Sequence, residues 1–115
     1  MNRVISIHEY SLKPDVSEIQ FEGAILTARQ QGLLNLPGLI DCFLVKGIRG
    51  SRKGCYAAIW VYESQTAWEK LWGTIQAPLI KEDYPETWQA WEVRILRPFL
   101  AQDPDKIQFT AYVEI

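Results

Sequence analysis

The segment that decides the fold is CYAAIWVYES, residues Cys55–Ser64. Its alternate residues form two different apolar sets. Because successive side chains of a strand point to opposite faces of its sheet, a strand with one face in water alternates apolar with polar residues. This segment therefore predicts a strand that is covered on both faces. One face is small or aliphatic (Cys55, Ala57, Ile59 and Val61), and the other is mostly aromatic (Tyr56, Ala58, Trp60 and Tyr62).

Three further strands are predicted around this segment. Arg3–Tyr10 and Ile107–Ile115 alternate with period two, as strands do. Leu39–Arg49 is almost continuously apolar, and the glycine-rich GIRGSRKG, residues 47–54, joins it to Cys55–Ser64 as a hairpin. The sequence therefore predicts four strands, two of which are neighbours through a short connection.

Helices are predicted between these strands. Asp15 is placed to cap a helix that ends near Gly32, and Ser64 is placed to cap a second. A third begins near Pro85 and ends or kinks at Pro98. The order β-α-β-β-α-β, with the second helical region in two pieces, predicts an α+β fold of the ferredoxin-like type, with a four-stranded antiparallel sheet and helices on one face. Without a linker or repeat, residues 1–115 are predicted to form a single domain.

Composition and charge exclude several classes of function. The formal net charge of -2 gives no electrostatic basis for binding nucleic acid or an anionic membrane. No segment is long and apolar enough to span a bilayer, and the first residues lack the apolar core of a signal peptide. His8 is the only histidine and no CxxC pair is present, so no metal site is predicted. We expect a cytoplasmic protein with reduced thiols.

The two cysteines are predicted not to pair with each other. If residues 50–53 turn the hairpin, Cys42 lies opposite Val61. Cys55 then lies opposite Ile48, far from Cys42 along the ladder, and this separation disfavours a disulfide.

One face of the sheet is predicted to be left uncovered by the helices. We expect the aliphatic sides of the first, third and fourth strands to meet the helices. The aromatic patch on the other side exceeds what a monomer normally exposes, and burying each ring contributes roughly 1.5–3 kcal/mol. We therefore predict a homodimer in which a second copy covers this face, with a small-molecule cavity among its polar groups. The predicted uncovered residues are Ser6, His8, Tyr10, Tyr56, Trp60, Tyr62, Gln108, Thr110 and Tyr112.

The junction between the third strand and its helix resembles a known family. Its residues are YESQTAWEKLW, Tyr62–Trp72. They are similar to the corresponding junction of antibiotic-biosynthesis-monooxygenase-like proteins, which belong to the dimeric α/β-barrel superfamily. The resemblance extends over nearly the whole chain in the order of elements. It implies two ferredoxin-like subunits whose sheets form a barrel, with a ligand cavity between sheet and helices.

The resemblance favours one branch of that family. Its members include cofactor-independent oxygenases of polycyclic aromatic substrates, haem-degrading enzymes and proteins without a known activity. Haem-degrading members carry a tryptophan on this helix and an iron-ligating histidine further along. The matching positions here are Leu71 and the region of Lys81, so we predict no haem and no other cofactor. In oxygenase members a helix tryptophan lines the cavity, a role that the resemblance gives to Trp68 or Trp72.

The predicted site centres on His8, the candidate catalytic residue. Its unperturbed pKa lies near neutrality, so it is a candidate general base or orienting donor, and the alternative is a hydrogen-bonded histidine at a subunit interface. Trp68 and Trp72 are alternatively the core face of their helix, and the aromatic residues of the third strand are alternatively dimer contacts. The predicted substrate-binding residues are Ser6, Tyr10, Tyr56, Trp60, Tyr62, Trp68, Trp72 and Tyr112.

Two functions are compatible with these sequence features. The first is a homodimeric, cofactor-independent monooxygenase that acts on a small aromatic or polyketide-like molecule. The second is a non-catalytic dimer of the same fold that binds a small molecule or a partner, with an interior filled by its own side chains. A well-formed cavity beside His8 distinguishes them, since a filled interior has no room for a ligand.

Overall fold

The structure is a computed structural model that describes residues 2–115. None of the helices in this range is long and apolar enough to cross a membrane. The predicted order of elements is confirmed, with a third helix that continues directly into a π-helical segment, Trp91–Leu96. The strands are β1 (Val4–Tyr10), β2 (Leu39–Lys46), β3 (Tyr56–Tyr62) and β4 (Gln108–Val113), and the α-helices are α1 (Glu18–Gln30), α2 (Gln65–Trp72) and α3 (Glu86–Ala90).

The four strands form one antiparallel sheet in the order β2-β3-β1-β4. This order, with the two central strands β1 and β3 separated in sequence by α1 and β2, is that of a ferredoxin-like sheet, so the predicted α+β fold is confirmed. The central strands bring residues from both halves of the chain side by side.

Helices α1 and α2 both begin at a serine cap. The hydroxyl of Ser17 accepts a hydrogen bond from the Gln20 amide at 3.2 Å, and that of Ser64 accepts one from the Ala67 amide at 3.1 Å. The Ser64 cap was predicted. The prediction of Asp15 as the first cap was wrong, because the chain is still extended at Ser17 and enters the helix only after it.

The helices cover the aromatic face of the sheet, so the predicted orientation of β1 and β3 was wrong, while the predicted side of β4, with Phe109 and Ala111, does face the helices. The ring of Trp60 on β3 packs against Trp88 of α3, with ring centroids 5.0 Å apart. Tyr56, at the start of β3, packs against Phe21 of α1 with centroids also 5.0 Å apart. The physical reason is area, because an aromatic ring buries roughly 150–250 Å², more than the aliphatic residues on the other side of β3. Intramolecular helices therefore shield the rings that a second copy was expected to shield.

The sheet face turned away from the helices is the aliphatic one, and we call it the open face. The β1–β4 register pairs Tyr112 with Ile5, so Tyr112 belongs to the open face and not to the face of His8. Gln108 and Thr110 are also on the open face, so the helices leave them uncovered as predicted, but they do not share a face with His8 as predicted, because β4 alternates in step with β1. The open face carries Ile5, Ile7, Glu9, Asp41, Phe43, Val45, Ala57, Ile59, Val61, Gln108, Thr110 and Tyr112.

The β2–β3 hairpin has a different register from the predicted one. Cys42 pairs with Trp60 and not with Val61. The loop is longer than the predicted turn, since β2 ends at Lys46 and β3 begins at Tyr56. This shift by one residue moves Cys42 to the helix-covered face, where it is buried. Both cysteines are free thiols.

Candidate functional site

A cavity of about 590 Å³ lies between the helix-covered face of the sheet and the helices α2 and α3. This volume falls within the range of small-molecule sites. Aromatic and aliphatic side chains form most of the wall, with a few polar groups among them. The principal lining residues are Ser6, His8, Tyr62, Trp68, Trp72, Thr74, Ile75, Lys81, Tyr84, Trp88, Glu92, Asp105, Ile107 and Phe109.

His8 lines the cavity from the central strand β1. Because Ser6 lies two residues before it on the same face, the Ser6 hydroxyl and His8 Nε2 share a hydrogen bond of 3.0 Å. The imidazole is surrounded by the rings of Trp60, Trp88 and Phe109, with centroid distances of 5.9, 5.7 and 5.4 Å. Its Nδ1 atom is buried and has no hydrogen-bond partner within residues 2–115. The site therefore holds one imidazole in a mainly aromatic environment.

This environment lowers the pKa of His8 to about 4, because burial disfavours the charged imidazolium. The ring is consequently neutral at neutral pH, with a lone pair on one nitrogen and a proton on the other. A neutral imidazole can accept a proton from a bound molecule, and the bond to Ser6 fixes the orientation of the ring.

Three aromatic rings form a connected wall of the cavity. Trp72 meets Trp88 at an interplanar angle of 68° and Tyr84 at 85°, with centroids 5.0 and 5.1 Å apart. Trp68 lies one helical turn before Trp72, so both indoles are on the same side of α2. Such a wall offers flat apolar surfaces to a planar ligand.

A short loop after α2 closes one side of the cavity, and Gly73 makes it possible. Gly73 has a φ of 89°, and a Cβ there would lie 2.4 Å from the Leu79 nitrogen. The Leu79 amide donates a hydrogen bond of 2.8 Å to the Trp72 carbonyl, which folds the loop back onto the end of the helix. This return places Thr74 and Ile75 in the wall of the cavity.

Charged groups line the cavity where the π-helical segment approaches it. Glu92 is only 5% exposed. It lies in the π-helical segment, where the backbone amide of Arg97 donates a hydrogen bond of 2.9 Å to the backbone carbonyl of Glu92. Lys81 and Asp105 form an ion pair of 2.7 Å beside it. Burial, and next the charge of Asp105, raise the pKa of the Glu92 carboxyl, while Lys81 and Arg97 act in the opposite direction. Glu92 Oε1 has no hydrogen-bond partner within residues 2–115.

The structure brings five of the nine predicted site residues together in the cavity wall. These are Ser6, His8, Tyr62, Trp68 and Trp72. Their roles in catalysis or binding stay predictions.

The other four predicted residues do not line the cavity. Trp60 lies behind His8 against the imidazole, and Tyr10 is fully buried in the core. The Tyr56 hydroxyl donates to the carboxylate of Glu22 on α1. The predicted placement of Tyr112 was wrong, because its register puts it on the open face, where it is 54% exposed.

Sequence reasoning missed several lining residues. Trp88 is not among the predicted site residues, because its contact with His8 depends on packing between distant segments. Lys81 and Asp105 lie in three-residue 3₁₀ helices and Tyr84 follows the first of these, and such short segments have no periodic pattern to detect. A signal for Glu92 did exist, since it is an acidic residue one turn after Trp88 beside an otherwise apolar stripe.

A second hollow, of about 610 Å³, lies beside the loop of residues 34–42. Its cationic residue, Arg29, already donates a hydrogen bond of 2.8 Å to the Cys42 carbonyl. Among residues 2–115, no buried unpartnered polar side-chain atom belongs to its lining. We therefore take the His8 cavity as the candidate site.

The fold and the cavity define a class, the ferredoxin-like α+β proteins with a ligand-sized cavity beneath the helices. No known family model matches the sequence, and no curated protein is significantly similar to it in sequence. Solved structures do share the fold. One is a DABB family protein with a ferredoxin-like fold from Mesorhizobium loti, with 12% identity, a TM-score of 0.67, and coverage of 100% of this chain and 99% of that one.

Two further solved structures link the fold to oxygenases. An inferred antibiotic biosynthesis monooxygenase from Bordetella bronchiseptica has 13% identity and a TM-score of 0.66 over 100% of this chain and 99% of its own. SnoaB, a cofactor-independent oxygenase from Streptomyces nogalater, has 12% identity and a TM-score of 0.58, with coverage of 97% of this chain and 92% of its own. A dimeric ferredoxin-like protein of unknown function is also a structural neighbour. The resemblance to antibiotic-biosynthesis-monooxygenase-like proteins is confirmed at the level of the fold.

Proposed function

We propose that this protein is a cofactor-independent monooxygenase that acts on a small aromatic or polyketide-like molecule. The observation that carries the proposal is the neutral imidazole of His8 in the wall of an aromatic cavity of about 590 Å³. A planar molecule gains apolar contact from such walls, and the imidazole supplies a proton acceptor. The fold is shared with a cofactor-independent oxygenase, which supports the same class of reaction.

The reaction that these groups suit is the oxidation of an activated methylene by molecular oxygen. His8 takes one proton from the methylene and leaves a carbanion that is conjugated with the rest of the substrate. The carbanion passes one electron to O₂, and the resulting radical pair joins to form the carbon–oxygen bond of a hydroperoxide, which receives the proton from His8. Loss of water breaks the oxygen–oxygen bond and leaves a ketone, so that R₂CH₂ and O₂ become R₂C=O and H₂O. The substrate supplies every electron, and the step needs no cofactor.

The remaining cavity residues have supporting roles in this proposal. The indoles of Trp68 and Trp72 and the ring of Tyr62 hold the planar substrate and exclude water from the carbanion. Ser6 keeps the imidazole oriented through their shared hydrogen bond. His8 is thus the candidate catalytic residue, and Ser6 is a positioning residue.

We further propose that the protein is a homodimer through the open face. Phe43, Val45 and Tyr112 on this face are 45%, 40% and 54% exposed, although they are apolar or aromatic. Two copies of a mainly apolar sheet face can cover each other around a two-fold axis, as a dimeric α/β barrel requires. The dimeric structural neighbour supports self-association. The free thiols suit the cytoplasm, where we propose that the protein works.

Oxygen uptake with anthrone as the probe tests the proposed reaction. Anthrone is a planar ketone with an activated methylene, and its oxidation would yield anthraquinone and water. We expect His8→Gln to lower kcat/KM by about a hundredfold, as the loss of a general base does. The matched control is Ile19→Ser on the outer side of α1, where Ile19 is 84% exposed, and it should keep the wild-type rate. Equal rates for the wild type and His8→Gln would contradict the role of His8.

Binding measured without oxygen separates catalysis from binding alone. Under argon, anthrone should quench the fluorescence of the cavity tryptophans in a saturable manner. Saturable quenching together with oxygen uptake at the rate of buffer alone would support the non-catalytic binding protein. If anthrone causes no quenching, the cavity neither oxidises nor binds this class of molecule.

A further inference from the structure

Glu92 on the π-helical segment carries a buried carboxyl group that the fold leaves without a partner. The residue is almost fully inaccessible, and it lines the cavity between the sheet and the helices. Its Oε1 atom has no hydrogen-bond partner within residues 2–115. Native proteins pair nearly all buried polar atoms, and they pair buried carboxylates with cations or with hydrogen-bond donors. A group that enters the cavity would supply the missing partner.

The charged side chains of the cavity wall leave one negative charge unbalanced. Within residues 2–115, these side chains are Lys81, Glu92 and Asp105. Lys81 already binds Asp105 at 2.7 Å, so it does not serve as a counterion of Glu92 alone. Outside the wall, Arg97 and Asp103 act on Glu92 with opposite signs. The charge that the cavity lacks is therefore positive.

The aromatic part of the wall also suits a positive charge. The face of an indole or phenol ring carries negative electrostatic potential, so it attracts a cation that lies within about 6 Å of the ring centre. Trp72 stands at 85° to Tyr84 and at 68° to Trp88, so these rings form corners and not a parallel stack. Aromatic cages that hold organic cations are built from several such rings. Trp88 precedes Glu92 by one turn of the continuous helical segment, and both line the cavity.

We infer that the cavity binds an organic cation and that Glu92 is the counterion of its ammonium group. An alkylammonium group has N–H donors for Oε1, so it supplies the missing hydrogen bond and the missing charge together. The apolar part of such a molecule gains contact from the indoles of Trp72 and Trp88. A neutral molecule of the same shape leaves the buried carboxylate without a counterion, and an anion is repelled by it. The site therefore selects its ligand by charge.

The inference names a substrate class for the proposed reaction, and in that respect it rests on the proposed function. His8 lines the same cavity, and its ring centroid lies 5.7 Å from that of Trp88. A planar substrate against Trp88 can thus present its acidic C–H bond to His8 and its ammonium group to Glu92. The substrate class is then an aromatic molecule that carries a protonated aliphatic amine. Neutral anthrone uses the rings and His8 but not Glu92, so it tests the reaction independently.

Calorimetric titration with three probes of similar size tests the inference without turnover. All three contain the naphthalene ring. Naphthylmethylamine is a cation at neutral pH, naphthylmethanol is neutral, and naphthoate is an anion. Each probe is titrated under argon into the wild type, Glu92→Gln and Glu82→Gln. Glutamine keeps the size of the side chain and removes its charge, and Glu82→Gln is the matched control because Glu82 is exposed and outside the cavity wall.

We expect the wild type and Glu82→Gln to bind the amine at least about tenfold more tightly than the alcohol, the usual value of a hydrogen bond to a charged group. Naphthoate should bind more weakly than the alcohol. In Glu92→Gln, the ratio of the amine and alcohol affinities should fall to about one. Equal affinities of the wild type for amine and alcohol would overturn the inference, and so would a preference for the amine that persists in Glu92→Gln. Amine binding too weak to measure would also overturn it.

A second variant keeps the inference testable if Glu92→Gln does not fold. Glu92→Met replaces the unpartnered carboxyl by an apolar group of similar length, a change that a buried site tolerates well, and its ratio should also be about one. Oxygen uptake with anthrone is judged separately. Oxidation of anthrone by a protein that does not bind the amine would overturn this inference and keep the proposed function. Amine binding that depends on Glu92, without any oxygen uptake, would do the reverse.

Discussion

Phe43 on β2 offers a quantitative test of the open face as a contact between two copies. A phenylalanine presents roughly 200 Å², of which 45% is exposed here, so roughly 90 Å² remains to be buried in a dimer. At about 25 cal/mol per Å², this area is worth about 2 kcal/mol in each copy, or about 4 kcal/mol in a symmetric pair. Phe43→Ser removes most of that gain, and the dissociation constant should rise by about a thousandfold.

Sedimentation velocity over a wide range of protein concentration measures this change. The wild type should sediment as a dimer at concentrations where Phe43→Ser is a monomer with an unchanged circular dichroism spectrum. Ile19→Ser is the matched control, since Ile19 is apolar and 84% exposed on α1, away from the open face. Identical dissociation constants for Phe43→Ser and the wild type, or a wild type that is monomeric throughout, would refute the reasoning.

Three further predictions concern stability measured by urea unfolding. Because the folded pKa of His8 is about 4 against 6.5 for an exposed histidine, the unfolded chain binds more protons between these values. The free energy of unfolding should therefore fall by up to about 3 kcal/mol as the pH drops through this window, and His8→Gln should lack this slope. Ser64→Ala should cost about 1 kcal/mol through loss of the helix cap, and no loss would mean that the cap is dispensable. Gly38→Ala should cost more than about 1 kcal/mol, since φ is 78° and the new Cβ would lie 2.7 Å from that of Ala67. The control Gly23→Ala, which meets nothing within 4 Å, should instead stabilise α1 by about 0.5–1 kcal/mol.

Local patterns predicted the elements of this protein well. Period-two alternation identified β1 and β4, and the serine at position 64 identified the start of α2. These signals act over a few residues and depend on backbone geometry that the sequence determines directly. The order of the elements then led to the correct sheet.

The side of the sheet that faces the helices was not predictable in the same way. Both sides of β3 are apolar, so hydrophobicity alone does not distinguish them. The choice depends on which side chains fill the space beneath α1 and α3, and the large rings of Tyr56 and Trp60 do so. The candidate site was predictable only in part for the same reason. His8 and Trp72 were identified by their residue types, whereas Glu92 and Lys81 reach the cavity only through packing between distant segments.

The alternation of β1 separates two properties of the molecule within one strand. The side chains of Ser6 and His8 line the cavity, while those of Ile5 and Ile7 lie on the open face. A slip of β1 by one residue against its neighbouring strands would exchange these sets, carrying the imidazole to the outer surface and an isoleucine into its place. The proposed reaction and the proposed dimer would then be lost together, although every original side chain was still in the chain. Substitutions at Ser6 or His8 should instead disturb only the reaction, and substitutions at Ile5 or Ile7 only the dimer.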